Sequence, residues 1–76
     1  MVKKVNSQIQ VDFGKNLRRI REEKGLSLAQ MAVNCDVDKS NIAKIENGKF
    51  NIQLSKIFEL AKGLNIDAKE LLDFKL

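Results

Sequence analysis

The chain has 76 residues, a formal net charge of +4, one cysteine, no histidine and no proline. That length holds one domain, near the lower size at which a core suffices without staples; the lone cysteine excludes an internal disulfide, and the lack of histidine removes the usual zinc sites and the commonest general base. No apolar run is long enough to span a bilayer and the start, Met1 to Gln8, lacks the apolar stretch of a secretion signal, so a cytoplasmic protein is expected, with a basicity that permits nucleic-acid binding without establishing it.

Residues 1–11 read as a polar N-terminal arm and residues 12–76 as the folded domain. Asp12 is a good N-cap for a first helix that stops at Gly25, which suits the left-handed position after a helix. Phe13, Leu17 and Ile20 recur at helical spacing as its buried stripe, and Ser7 is an alternative cap for a longer helix including Ile9 and Val11. Arg18, Arg19, Glu22, Glu23 and Lys24 form a solvated face with pairs four residues apart.

Ser27 and Gln30 form a capping box that opens a second helix, on which Leu28, Met31, Ala32 and Cys35 share one apolar face. Cys35 therefore reads as a buried thiol. A bend over residues 34–38 follows, with Asp36 as its left-handed residue. Asp38 caps a third helix that runs to about Asn47 and stops at Gly48. Asn51 is expected to cap a fourth, with Leu54, Ile57, Phe58, Leu60, Ala61 and Leu64 as its apolar side and Asn65 after its end. Asp67 and Glu70 open a short fifth helix that ends with Leu71, Leu72 and Phe74. With strand signals absent, the expected fold is all-α, a compact bundle of five helices.

The third helix carries the functional signal. At about 100° per residue, Ile42 and Ile45 point one way, while Ser40, Ala43, Lys44 and Asn47 fall roughly opposite and Lys39 lies in the first turn. Small residues let a helix backbone approach DNA, and Lys and Ser supply donors to base edges. Two short helices joined by a tight bend, the second with a small, polar outer face, have the sequence form of a helix-turn-helix. A solvated amphipathic helix is the alternative for the third helix taken alone.

The ordered set of segments resembles the lambda-repressor/Cro-like (Xre) family of helix-turn-helix transcriptional regulators over about residues 12–72. The resemblance is carried by Leu17-Arg-Arg-Ile-Arg21, by Gly25-Leu-Ser27 with Met31-Ala32, and by Ile42-Ala-Lys-Ile-Glu-Asn-Gly-Lys49. It continues through Leu54, Ile57, Leu60-Ala61 and Leu64-Asn-Ile66 to Glu70-Leu-Leu72.

The resemblance implies that the third helix reads double-stranded DNA, with Lys39, Ser40 and Lys44 at base-contacting positions and Asp38 and Asn41 on its flanks. It makes Asn47, Gly48, Lys49 and Ser27 phosphate contacts, and Arg21 with Glu46 a structural ion pair. The pattern departs at Leu28, where glutamine is common, at Asp36 in place of a turn glycine, and at Phe50 and Ile52. Leu28 is expected to pack inward; Phe50 reads equally as a contact to a partner chain or as a partly buried side chain.

Apolar residues slightly exceed what one small core needs, and the family often dimerises through its C-terminal region. Phe58, Leu71, Leu72 and Phe74 are therefore the expected interface of a homodimer on a palindromic operator. The expected function is sequence-specific transcriptional regulation, as a phage-type repressor or a restriction–modification controller, with no enzymatic activity, cofactor, metal, membrane partner or small-molecule effector. The alternative is a helical protein-interaction module or antitoxin-like partner, which Leu28 and Phe50 favour and Lys39, Lys44, Asn47 and Lys49 oppose.

Overall fold

Local capping chemistry cuts the chain into five helices: α1 (Val2–Glu23), α2 (Leu28–Val33), α3 (Lys39–Glu46), α4 (Leu54–Leu64) and α5 (Ala68–Leu71). The computed structural model describes the backbone of residues 2–75 and the side chains of residues 7–75, among which no strand occurs. Met1, Leu76 and the side chains of Lys3 and Lys4 lie outside the described set.

Each helix delivers at least one fully buried side chain to a single core: Leu17 from α1, Met31 from α2, Ile42 from α3, Leu60 and Leu64 from α4, and Leu71 from α5. α1 packs on α3 and α5, α2 on α3 and α4, and α4 on α5. None of the short helices can bury its apolar face alone, so their stability comes from this shared packing.

Ends are set largely by hydrogen bonds within a few residues. After α1, Gly25 takes φ 70°, which a residue with a Cβ rarely adopts. Its N–H donates to the Glu22 carbonyl at 3.0 Å and that of Leu26 to the Arg21 carbonyl at 3.1 Å. Ser27 Oγ accepts from the Gln30 N–H at 3.0 Å while Gln30 Oε1 accepts from the Ser27 N–H at 2.8 Å, completing the box that opens α2. Asn65 ends α4 in the left-handed conformation, φ 57° and ψ 48°.

Three local expectations fail. α1 begins at Val2, so residues 2–11 prolong the helix instead of preceding it and Asp12 lies in its interior. Asp36 is not left-handed: Asn65 is the one non-glycine with positive φ among the described residues. The bend after α2 instead tightens through bonds from Asn34 N–H to the Met31 carbonyl and from Cys35 N–H to that of Ala32. The Glu59 carboxylate, from α4, accepts the Asp36 N–H at 2.9 Å. Asn51 does not cap α4, which starts after Gln53 without a side-chain cap; residues 49–53 form no regular secondary structure, and Ile52 packs against the core.

Candidate nucleic-acid interface

α3 is oriented by what it buries. Ile42 and Ile45 are in the core, which leaves Lys39, Ser40, Lys44 and Asn47 exposed and Ala43 half-buried. At its start Asp38 Oδ1 accepts the Asn41 N–H at 2.8 Å, and Asn41 Nδ2 lies 3.4 Å from Asp38 Oδ2. Asp38 and Asn41 are thus engaged with one another at the helix start, whereas Lys39, Ser40 and Lys44 offer a face of small side chains and donors.

An ion pair fixes α3 against α1. Arg21 Nε donates to Glu46 Oε2 at 2.6 Å and Arg21 Nη2 to Glu46 Oε1 at 3.1 Å, a two-point contact, while Nη1 reaches the Leu26 carbonyl at 2.8 Å. The pair is largely excluded from water, with side-chain exposures of 11% and 5%. The hydrogen bond to Glu46 raises the Arg21 pKa above its ordinary value and burial opposes it, so the guanidinium stays charged. Nearby, a Cβ on Gly14 would sit 2.6 Å from the Glu46 carbonyl oxygen and closer still to that of Ile45. The seam between α1 and the end of α3 closes only around glycine.

Beyond α3 the chain reverses at Gly48, φ 72°. The Gly48 N–H donates to the Ile45 carbonyl and the Lys49 N–H to that of Lys44, both at 3.0 Å. A Cβ on Gly48 would lie 2.9 Å from Val11 Cγ2, so the loop also lies beside α1. Asn47 and Lys49 are exposed on it. At the start of α2 the Ser27 N–H is committed to Gln30. The first-turn N–H groups of Leu28 and Ala29 and the Ser27 hydroxyl proton are what that helix start offers an anion.

Phe50, the residue left undecided by the sequence, lies 5.9 Å from Lys44 Nζ, measured to its ring centroid. Its ring also borders a cleft of about 200 Å³ lined by Val37, Asn41, Ile45 and Ile52. Leu28 packs against the core. Cys35 is half-buried, its Sγ 3.6 Å from the Met31 and Val37 carbonyl oxygens.

The expected interface residues separate. Phe58 and Leu72 are exposed, at 59% and 51%, and Leu54, one turn before Phe58, at 69%. Leu71 is fully buried and cannot touch a partner, a correction that follows from α5 turning it into the core. Phe74 is also turned inward, packing edge-on against Phe13 with ring centroids 6.3 Å apart.

Two residues were missed in the sequence. Asn16 sits within the apolar stripe of α1 and is buried; its Nδ2 donates to the Glu70 and Leu71 carbonyls, each at 3.0 Å, and its Oδ1 accepts from Arg19 at 2.7 Å. A polar residue between Phe13 and Leu17 was the available signal. Gly14 is the other, and only its position beside the stripe hinted at a close approach. Among the described residues no His, Cys, Asp and Glu group could hold a metal, and no helix is long and apolar enough to cross a membrane.

A helix-turn-helix family model matches residues 17–71. The chain is 35% identical over 71 residues to the control protein C.BamHI of Bacillus amyloliquefaciens, covering 92% of this chain and 88% of that one. It is 36% identical over 66 residues to the control protein C.MunI of a Mycoplasma species, covering 86% and 89%. The crystal structure of the restriction-modification controller protein C.AhdI from Aeromonas hydrophila superposes with a TM-score of 0.77 at 39% identity, over 82% of this chain and 94% of that one.

Proposed function

From the premise that the chain belongs to the helix-turn-helix family and is a DNA-binding transcriptional regulator, we propose that it is a regulator of the restriction–modification controller type, binding a palindromic operator as a homodimer and catalysing no reaction. The observation that carries this reading is the exposed Lys39, Ser40 and Lys44 face on a helix locked in place by the Arg21–Glu46 pair. Likeness to C.BamHI, C.MunI and C.AhdI over most of each chain supports the controller type.

In the mechanism, α3 enters the major groove and Lys39, Ser40 and Lys44 donate to base edges. Lys49 and Asn47, with the backbone at Gly48, hold one phosphate; the start of α2 at Ser27 holds another. Asp38 and Asn41, bonded to each other at the helix start, flank the reading face. Leu54 and Phe58 on α4, with Leu72, supply the surface that a second copy covers. Two copies related by a two-fold axis then place their reading helices about 34–36 Å apart, one turn of DNA. The working compartment is the cytoplasm.

Selection of bound duplexes from a random pool tests this. The expected product is a sequence with two-fold symmetry and half-sites about one helical turn apart, bound by two chains in sedimentation. A pool without enrichment, or a protein that binds no duplex at low salt, rejects it in favour of protein recognition.

A further inference from the structure

Lys44 carries a long outward-facing donor in the last turn of α3, and the backbone brings an aromatic ring to it. Gly48 turns the chain at φ 72°, the Lys49 N–H closes onto the Lys44 carbonyl at 3.0 Å, and the next side chain, Phe50, places its ring centroid 5.9 Å from Lys44 Nζ. The ion pairs among the described residues are Arg18–Glu22, Arg19–Glu23 and Arg21–Glu46, none of which involves the Lys44 ammonium. Phe50 is itself seated, at 38% exposure, against the cleft formed with Val37, Asn41, Ile45 and Ile52.

We propose that Phe50 is a positioning residue that aims the Lys44 ammonium and thereby sets base selectivity at one position of each half-site. The inference rests on Lys44 being a base-reading residue. A lysine head is a compact point charge on a flexible stem, able to turn to a phosphate or to any acceptor within reach. The negative face of a ring attracts that head from one side and leaves its N–H donors directed away from the ring. An ammonium already directed loses less freedom on binding, and its selectivity follows from the direction in which it is held.

Phe50→Leu keeps apolar bulk but removes the ring, and Phe50→Tyr keeps the ring. In the free protein, proton NMR should show the Lys44 ε protons shifted upfield by the ring in wild type and Phe50→Tyr, and at ordinary positions in Phe50→Leu. Competition binding with single-base changes across the selected duplex should show Phe50→Leu lowering selectivity about two- to fivefold, the scale of an exposed cation–π contact. The loss should fall at the position that Lys44→Ala also relaxes, and Phe50→Leu should add nothing there when Lys44 is already Ala.

Absence of the upfield shift in wild type overturns the proposal whether or not the leucine variant folds. So does a Phe50→Leu variant with wild-type preferences, or one that relaxes positions Lys44→Ala leaves intact. If Lys44→Ala itself leaves every base preference unchanged, Lys44 is not a base reader and the positioning role falls with it; a silent Phe50→Leu beside an effective Lys44→Ala removes the positioning role alone.

Discussion

α3 and α4 both bury one face in the same core, yet their outer faces differ in kind. That of α3 carries Lys39, Ser40 and Lys44, small or cationic and fully compatible with water. That of α4 carries Leu54 and Phe58, at 69% and 59% exposure. Exposed donors and cations suit a partner that is itself charged and hydrated, such as a nucleic-acid groove. Exposed apolar side chains are stabilised only when a surface of their own kind covers them. On this difference rests our proposal of two partners for the two helices, DNA for α3 and a second copy of the chain for α4.

The strongest way to break the α3 side is to unseat the helix. Glu46→Ala leaves the Arg21 charge confined without its two-point partner, and should lower stability by about 3–5 kcal/mol in urea unfolding. On the α4 side, Phe58→Glu should leave folding stability within about 0.5 kcal/mol, because the ring is exposed. The same change should shift the protein to monomer in sedimentation and weaken operator binding on the order of a hundredfold, as the two half-sites cease to be joined.

Smaller effects sharpen the division within the proposed DNA face. Lys44→Ala or Ser40→Ala should relax the preference at one base position by about 1–3 kcal/mol, read from competition with single-base variants. Lys49→Ala should weaken all duplexes alike and flatten the salt dependence of log affinity by about one unit.

What could be read from the residues followed the range of the interactions involved. The ends at Gly25, Ser27–Gln30, Asp38, Gly48 and Asn65 were legible because each is closed by bonds within a few residues. Asp36 and Asn51 misled because tertiary contacts intervene: Glu59, from α4, takes the Asp36 N–H, and Ile52, beside Asn51, packs against the core. Asn16 and Gly14 were hidden for the same reason, their partners lying 54 residues away at Glu70 and on the far end of α3. Leu71 and Leu72 could not be told apart, because a helix of four residues has too few positions to define a face. On the outer face of α3, helical periodicity placed Lys39, Ser40 and Lys44 outward, but the approach of Phe50 to Lys44 depends on the reversal at Gly48.

That the α3 face reads sequence, beyond attracting charge, is tested most directly by titrating the wild-type protein onto its selected duplex and onto a shuffled duplex of equal composition across a salt series. Both affinities should fall steeply with salt, since phosphate contacts release counterions, while a gap of about a thousandfold or more separates the two lines throughout. Two lines that coincide would contradict base reading by α3 and leave only an electrostatic surface.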